Sequence, residues 1–180
     1  MTPQITLETH TIERLKAFAE PLVDTYDTVV NRAIDALQAA TAAKPDEDGV
    51  TTFNPSTPPD LSFTTVKRIK FKDAQLSSTE AWWNPFMFKL IREAAQTMKV
   101  DEVSKLLFIN HAKGSKAING YKELPEAGLS VQGQDANSAW KQAYELLKAL
   151  KLPAEIDFTW QDNVKAAYPN KRGKFVVTFD

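Results

Sequence analysis

Residues 3–38 read PQITLETHTIERLKAFAEPLVDTYDTVVNRAIDALQ. In Gln4-Ile5-Thr6-Leu7-Glu8 the apolar Ile5 and Leu7 alternate with polar neighbours, the period of a strand with one dry face. Pro3 has no N–H and suits a strand start. Thr9 or Thr11 can cap a following helix, whose Ile12, Leu15, Ala19 and Leu22 recur at helical spacing beside Phe18. Pro21 restricts Glu20 and is expected to end that helix. Asp24 or Thr25 caps a second helix with the apolar stripe Val29, Val30, Ala33, Ile34 and Leu37. A strand and two short helices cannot bury their own apolar faces, so the expected packing partner is a second copy of the same stretch.

This strand-helix-turn-helix spacing resembles the ribbon-helix-helix family over residues 2–40. The resemblance implies that two chains pair their strands into an antiparallel ribbon that enters the DNA major groove. By that resemblance Gln4, Thr6 and Glu8 face base edges. The backbone N–H groups around Thr25 and Thr28, at the start of the second helix, hold phosphate. The charge of the stretch runs the other way. Arg14, Lys16 and Arg32 stand against Glu8, Glu13, Glu20, Asp24, Asp27 and Asp35, a net of −3 over residues 1–40. Phosphate neutralisation supplies most non-specific affinity, so an acidic head that serves only to dimerise is the competing expectation.

Residues 39–60, AATAAKPDEDGVTTFNPSTPPD, change character, with Pro45, the acidic run Asp46-Glu47-Asp48, Gly49, Pro55, Pro58 and Pro59. This composition predicts an extended linker over 41–60, with Val50 and Phe53 as apolar residues available to dock. Beyond it the balance reverses. Residues 61–180 hold 18 basic and 13 acidic side chains, a net of +5. An acidic front and a basic rear can mark a nucleic-acid face.

The rear reads as α+β. In FTTVKRIKFK, residues 63–72, β-branched and aromatic residues predict a strand, with Arg68, Lys70 and Lys72 on one face as candidate phosphate contacts or as edge protection. Ser77 and Glu80 have capping-box spacing before an apolar helix running from Ala81 to Ala95, in which Trp82 and Trp83 are core residues or a stacking platform. A short helix from Val100 or Asp101 to Leu107 follows. FINHAKGSKAINGYKEL, residues 108–124, reads as a basic loop in which Lys113 and Lys116 are candidate phosphate ligands and His111 a solvated residue. A short strand at 128–133, a helix at 136–150 capped by Asp135, a strand at 155–160 and a final strand at 174–179 complete the chain. The expected domain, residues 61–180, sets helices against a small antiparallel sheet.

The remaining chemistry is sparse. The chain has no cysteine and only two histidines, His10 and His111. That excludes disulfides and thiol nucleophiles and leaves zinc short of ligands. No HExxH, GxSxG, GxGxxG or P-loop spacing occurs, and no lysine has an acidic residue two positions before it. Glu155, Asp157 and Asp162 could gather magnesium, but Glu155 and Asp157 read more simply as the wet face of a strand. The expectation is no catalytic residue, no metal and no cofactor. No apolar run reaches the ~20 residues of a membrane helix and no leader pattern opens the chain, so a cytoplasmic, non-membrane protein is expected. Its expected partners are DNA and a second copy, with a protein partner for the rear domain. The expected function is a dimeric DNA-binding regulator of transcription or replication. The alternative is a non-catalytic accessory subunit of a nucleic-acid-processing or defence complex.

Overall fold

The computed structural model describes residues 6–19, 25–42, 49–116, 118 and 120–179, with the backbone alone at 35–42. The chain forms two compact units, Met1–Thr41 and Ala42–Asp180.

In the first unit α1 spans Thr9–Phe18 and α2 spans Tyr26–Ala42. The expected strand falls partly on Gln4 and Ile5, outside the described residues. Thr6, Leu7 and Glu8 are irregular rather than strand. The helix claims this end of the segment, because Glu8 is already its N-cap and its carbonyl accepts from the N–H groups of Thr11 and Ile12 at 3.0 and 3.1 Å. Neither Thr9 nor Thr11 caps α1. At α2 the expected cap is present: Thr25 Oγ1 accepts from the Thr28 N–H at 3.2 Å, and Thr28 Oγ1 accepts from the Thr25 N–H at 2.7 Å. α1 buries no side chain fully, and Val29 is the one buried residue among those described in α2.

The second unit starts earlier than the linker expectation allows. β1, Val50–Phe53, lies within the proline-rich stretch and pairs in parallel with the last strand. Two apolar anchors overrode the loop-like composition, for Val50 and Phe53 are both buried. The loop after β1 is held from inside. Trp140 Nε1 donates to the Pro55 carbonyl at 3.0 Å, and Trp160 Nε1 donates to that of Asp60 at 2.9 Å.

β2 spans Thr64–Phe71, β3 is Ala74–Gln75, α3 is Trp83–Ala95 and α4 is Val100–Leu106. β4, His111–Lys113, and β5, Tyr121–Leu124, occupy what composition predicted to be a loop. A 3-10 turn at Pro125–Ala127 leads into β6, Leu129–Gln132. α5 is Ala136–Leu150, β7 is Ala154–Trp160 and β8 is Arg172–Val177. Ser77 and Glu80 form a turn ahead of α3 rather than its N-cap: the Ser77 carbonyl accepts from Glu80 and Ala81, and the helix begins at Trp83.

Among the described residues the strands make two sheets, not one. The larger runs β1-β8-β7-β2-β3 and is antiparallel except for β1 on β8; the smaller runs β4-β6-β5 and is antiparallel throughout. Alternation in β7 turns Ile156, Phe158 and Trp160 inward and leaves Glu155, Asp157 and Thr159 half-buried. Helices α3 and α5 cover the inner face. The Trp83 ring lies 5.6 Å from Phe158 and 6.0 Å from Trp140, and Trp140 stacks on Phe175 at 4.4 Å. Each such fully buried large side chain contributes about 1.5–3 kcal/mol. Trp82, by contrast, is 49% exposed, so the tryptophan pair divides between core and surface.

Candidate functional site

On the outer face of the larger sheet, charged residues stand in register across three strands. Arg68 pairs with Asp157 and Asp157 with Lys174; Lys70 pairs with Glu155 and Glu155 with Val176. The acidic strand β7 lies between basic strands, and the charges close on one another. Arg68 Nε reaches Asp157 Oδ2 at 2.7 Å, and Lys174 Nζ reaches Glu155 Oε2 at 2.9 Å. The Asp157 carboxylate raises the Arg68 pKa, and the Lys174 ammonium holds Glu155 below its ordinary range. Arg68 and Lys70 share this face as expected, but Lys72 does not. It sits at φ 49° in the β2–β3 turn and pairs with Glu93. A hollow beside Lys70, Lys72 and Glu155 measures about 80 Å³. Sites for drug-sized ligands start near ~300 Å³.

The expected basic loop is likewise closed. Lys113 is the last residue of β4 and pairs with Asp101, whose carboxyl it holds below the usual range. The Lys116 N–H donates to Ser130 Oγ at 2.8 Å, and its ammonium lies 4.1 Å from the centre of the Tyr121 ring. Ser130 Oγ in turn donates to the Gly114 carbonyl at 2.7 Å, so a buried hydroxyl fastens the loop down. His111 is not a solvated loop residue. Its Nδ1 donates to the Ile109 carbonyl at 2.8 Å, which leaves Nε2 to accept the Ser104 hydroxyl at 2.7 Å. This places a serine against an oriented imidazole, the first requirement of a nucleophile. Ser104 stands in α4 and His111 in β4, so the contact tethers the helix to the strand.

In the helical unit Thr6 and Glu8 are exposed, Glu8 lies 3.2 Å from His10 Nδ1, and Gln4 is outside the described residues. The Thr28 N–H, an expected phosphate donor, is satisfied by Thr25 Oγ1. A groove of about 410 Å³ between α1 and α2 is lined by Leu15, Phe18, Val29 and Ala33, with Thr11, Arg14 and Arg32. Phe18 is 72% exposed. Among the described residues no group of three or more His, Asp or Glu side chains is placed to hold a metal ion. No described helix is long and apolar enough to cross a membrane.

Several of the nominated cations are therefore spent on internal partners. Lys165 and Lys171, exposed in the β7–β8 loop, are among the described cations that pair with no carboxylate. The chain is an α+β protein with a second compact unit made of helices. No family model, curated protein or solved structure matches the chain.

Proposed function

We propose that this is a self-assembling, DNA-associated protein without catalytic activity. Charge separation carries the reading. The first 40 residues are net −3, while residues 61–180 are net +5. Long-range attraction of a polyanion depends on net charge more than on local pairing, and exposed ion pairs are worth about 0–1 kcal/mol, little enough for phosphate to displace. Self-assembly is supported by the helical unit, which leaves Leu7, Phe18, Tyr26 and Ile34 substantially exposed. Two helices of this length gain too little from their own contacts, and a second copy supplies the missing cover.

Light scattering on the full chain across a range of concentrations tests the first half, and fluorescence anisotropy with labelled DNA at low and high salt tests the second. A concentration-dependent dimer with salt-sensitive binding is the expected result. A monomer at all concentrations removes the assembly claim, and absence of binding at micromolar protein in low salt removes the DNA claim. A second reading is an accessory subunit that assembles and meets a protein partner. The interlocked charges of Arg68, Asp157, Glu155 and Lys174 favour it, since a neutralised sheet face suits a protein surface better than a phosphate backbone.

A further inference from the structure

We propose that Phe63, Lys165 and Lys171 form a contact site for a single strand of nucleic acid, with a base on the phenyl ring and phosphates on the two ammonium groups. The inference rests on the DNA-associated reading and moves its contact point away from the residues that sequence nominated.

Two independent observations meet at the end of the larger sheet where β7 passes into β8. The first is a rigid basic loop, residues 161–171. The Trp160 N–H donates to the Lys171 carbonyl at 3.0 Å, and the Lys171 N–H donates to that of Tyr168 at 3.0 Å. Tyr168 is wedged between Phe53 and Trp160, with ring centres 5.4 and 5.0 Å away. Asn163 Oδ1 accepts from the Lys165 N–H at 2.9 Å, and Ala166 is buried. This framework holds Lys165 and Lys171 outward, and Val164 between the anchors is 97% exposed. Asp162 is the one carboxylate within the loop, against Lys165, Lys171 and the adjoining Arg172.

The second observation is Phe63. It stands at φ 60°, a left-handed backbone conformation that is costly for a bulky side chain. It is 39% exposed and makes none of the ring contacts that join Phe53, Phe158, Trp160 and Tyr168. Phe63 is thus a strained, part-exposed aromatic residue outside the ring cluster, and backbone strain of this kind concentrates at functional positions. The two features are joined directly, because the Gln161 N–H donates to the Phe63 carbonyl at 2.8 Å. An aromatic platform beside backbone-tracking cations is the combination that binds unpaired strands. An acidic peptide without an apolar side chain would satisfy the lysines but gain nothing from the ring.

The test is anisotropy of the full chain with fluorescein-labelled oligothymidylate and with a duplex of mixed sequence, over a salt series. The expected result is that Lys165→Ala with Lys171→Ala flattens the slope of log affinity against log salt by about 1.4, two released counterions on a single strand. Phe63→Ala is expected to weaken oligothymidylate about tenfold without changing the slope, and Phe63→Tyr to keep full affinity. Thermal unfolding of each variant controls for folding. Binding by the full chain that these variants leave untouched overturns this site while sparing the DNA reading. Duplex preference with no effect of Phe63→Ala overturns the stacking contact and with it the site. Failure of the unaltered chain to bind either probe removes both.

Discussion

A β-carbon placed on Gly173 would lie 2.5 Å from Cε2 and 2.6 Å from Cζ of Phe158, and 3.0 Å from the Trp160 ring. Gly173 and Phe158 are register partners on adjacent strands, and the glycine leaves room for the phenyl ring to lie over the backbone of β8. Phe158 is itself packed at 4.8 Å from Phe175 and 5.1 Å from Trp160 between ring centres, so it cannot retreat. Gly173→Ala is therefore expected to destabilise the second unit by about 1–3 kcal/mol, the usual scale of overpacking. Chemical denaturation followed by tryptophan fluorescence measures it. A neutral result would mean that the aromatic cluster rearranges freely.

Gln142 offers a test of a buried polar contact. It is fully buried in α5, where Oε1 accepts from the Phe108 N–H at 2.9 Å and Nε2 donates to the Leu106 carbonyl at 3.1 Å. Both backbone groups lie where α4 ends and the chain turns toward β4. Gln142→Leu fills the space but leaves both without a partner, at about 1–3 kcal/mol for each group. Loss of stability on that scale, with faster amide exchange at Phe108, is the expected outcome. Unchanged exchange at Phe108 would show that water replaces the amide.

These two positions also mark where the sequence was legible and where it was not. α5 was readable almost to the residue, because Asp135, the apolar stripe through Trp140 and Leu147 and the exit at Pro153 are local signals. β2 and β7 were readable from their alternation. Gln142 was not singled out, since a glutamine on a helix is ordinarily solvated and only the return of residues 106–108 gives it work. β1 was hidden by its prolines, and β4 and β5 by small and basic residues. β1 pairs with a strand about 120 residues further on, which no local window contains, whereas β4 and β5 pair with the nearby β6. The site residues divide in the same way: the charges of Arg68 and Lys113 were visible, while their capture by Asp157 and Asp101 was set by register and by the fold. The left-handed backbone of Phe63 has no sequence signature at all.

The end of α5 predicts a gain. Lys151 takes a left-handed conformation at φ 51°, and the Leu152 N–H donates to the Leu147 carbonyl at 3.0 Å, the closing bond of a Schellman turn. Glycine adopts this conformation without a β-carbon penalty. Lys151→Gly is expected to stabilise the protein by about 0.4–1 kcal/mol, read as a higher denaturation midpoint. A lower midpoint would mean that the lysine side chain contributes more than its backbone costs.

The start of the same helix predicts a pH dependence. The Ser138 N–H donates to Asp135 Oδ1 at 3.0 Å, and this bond holds the Asp135 carboxyl below its ordinary range. In the unfolded chain the carboxyl titrates at its usual value, near ~3.9. The folded state binds the proton less readily, so the cap contributes fully above the unfolded value and is lost as pH falls through the depressed folded one. Asp135→Asn keeps a capping oxygen but cannot titrate. Its stability loss at neutral pH should be small and should shrink further as the unaltered protein is acidified below about pH 4. Asp135→Ala should cost about 0.5–2 kcal/mol at neutral pH and close much of that gap under acid. Denaturation midpoints of the three proteins from neutral pH into the acid range check this. A gap between Asp135→Ala and the unaltered chain that stays constant with pH would mean that the ionised carboxylate is not what caps α5.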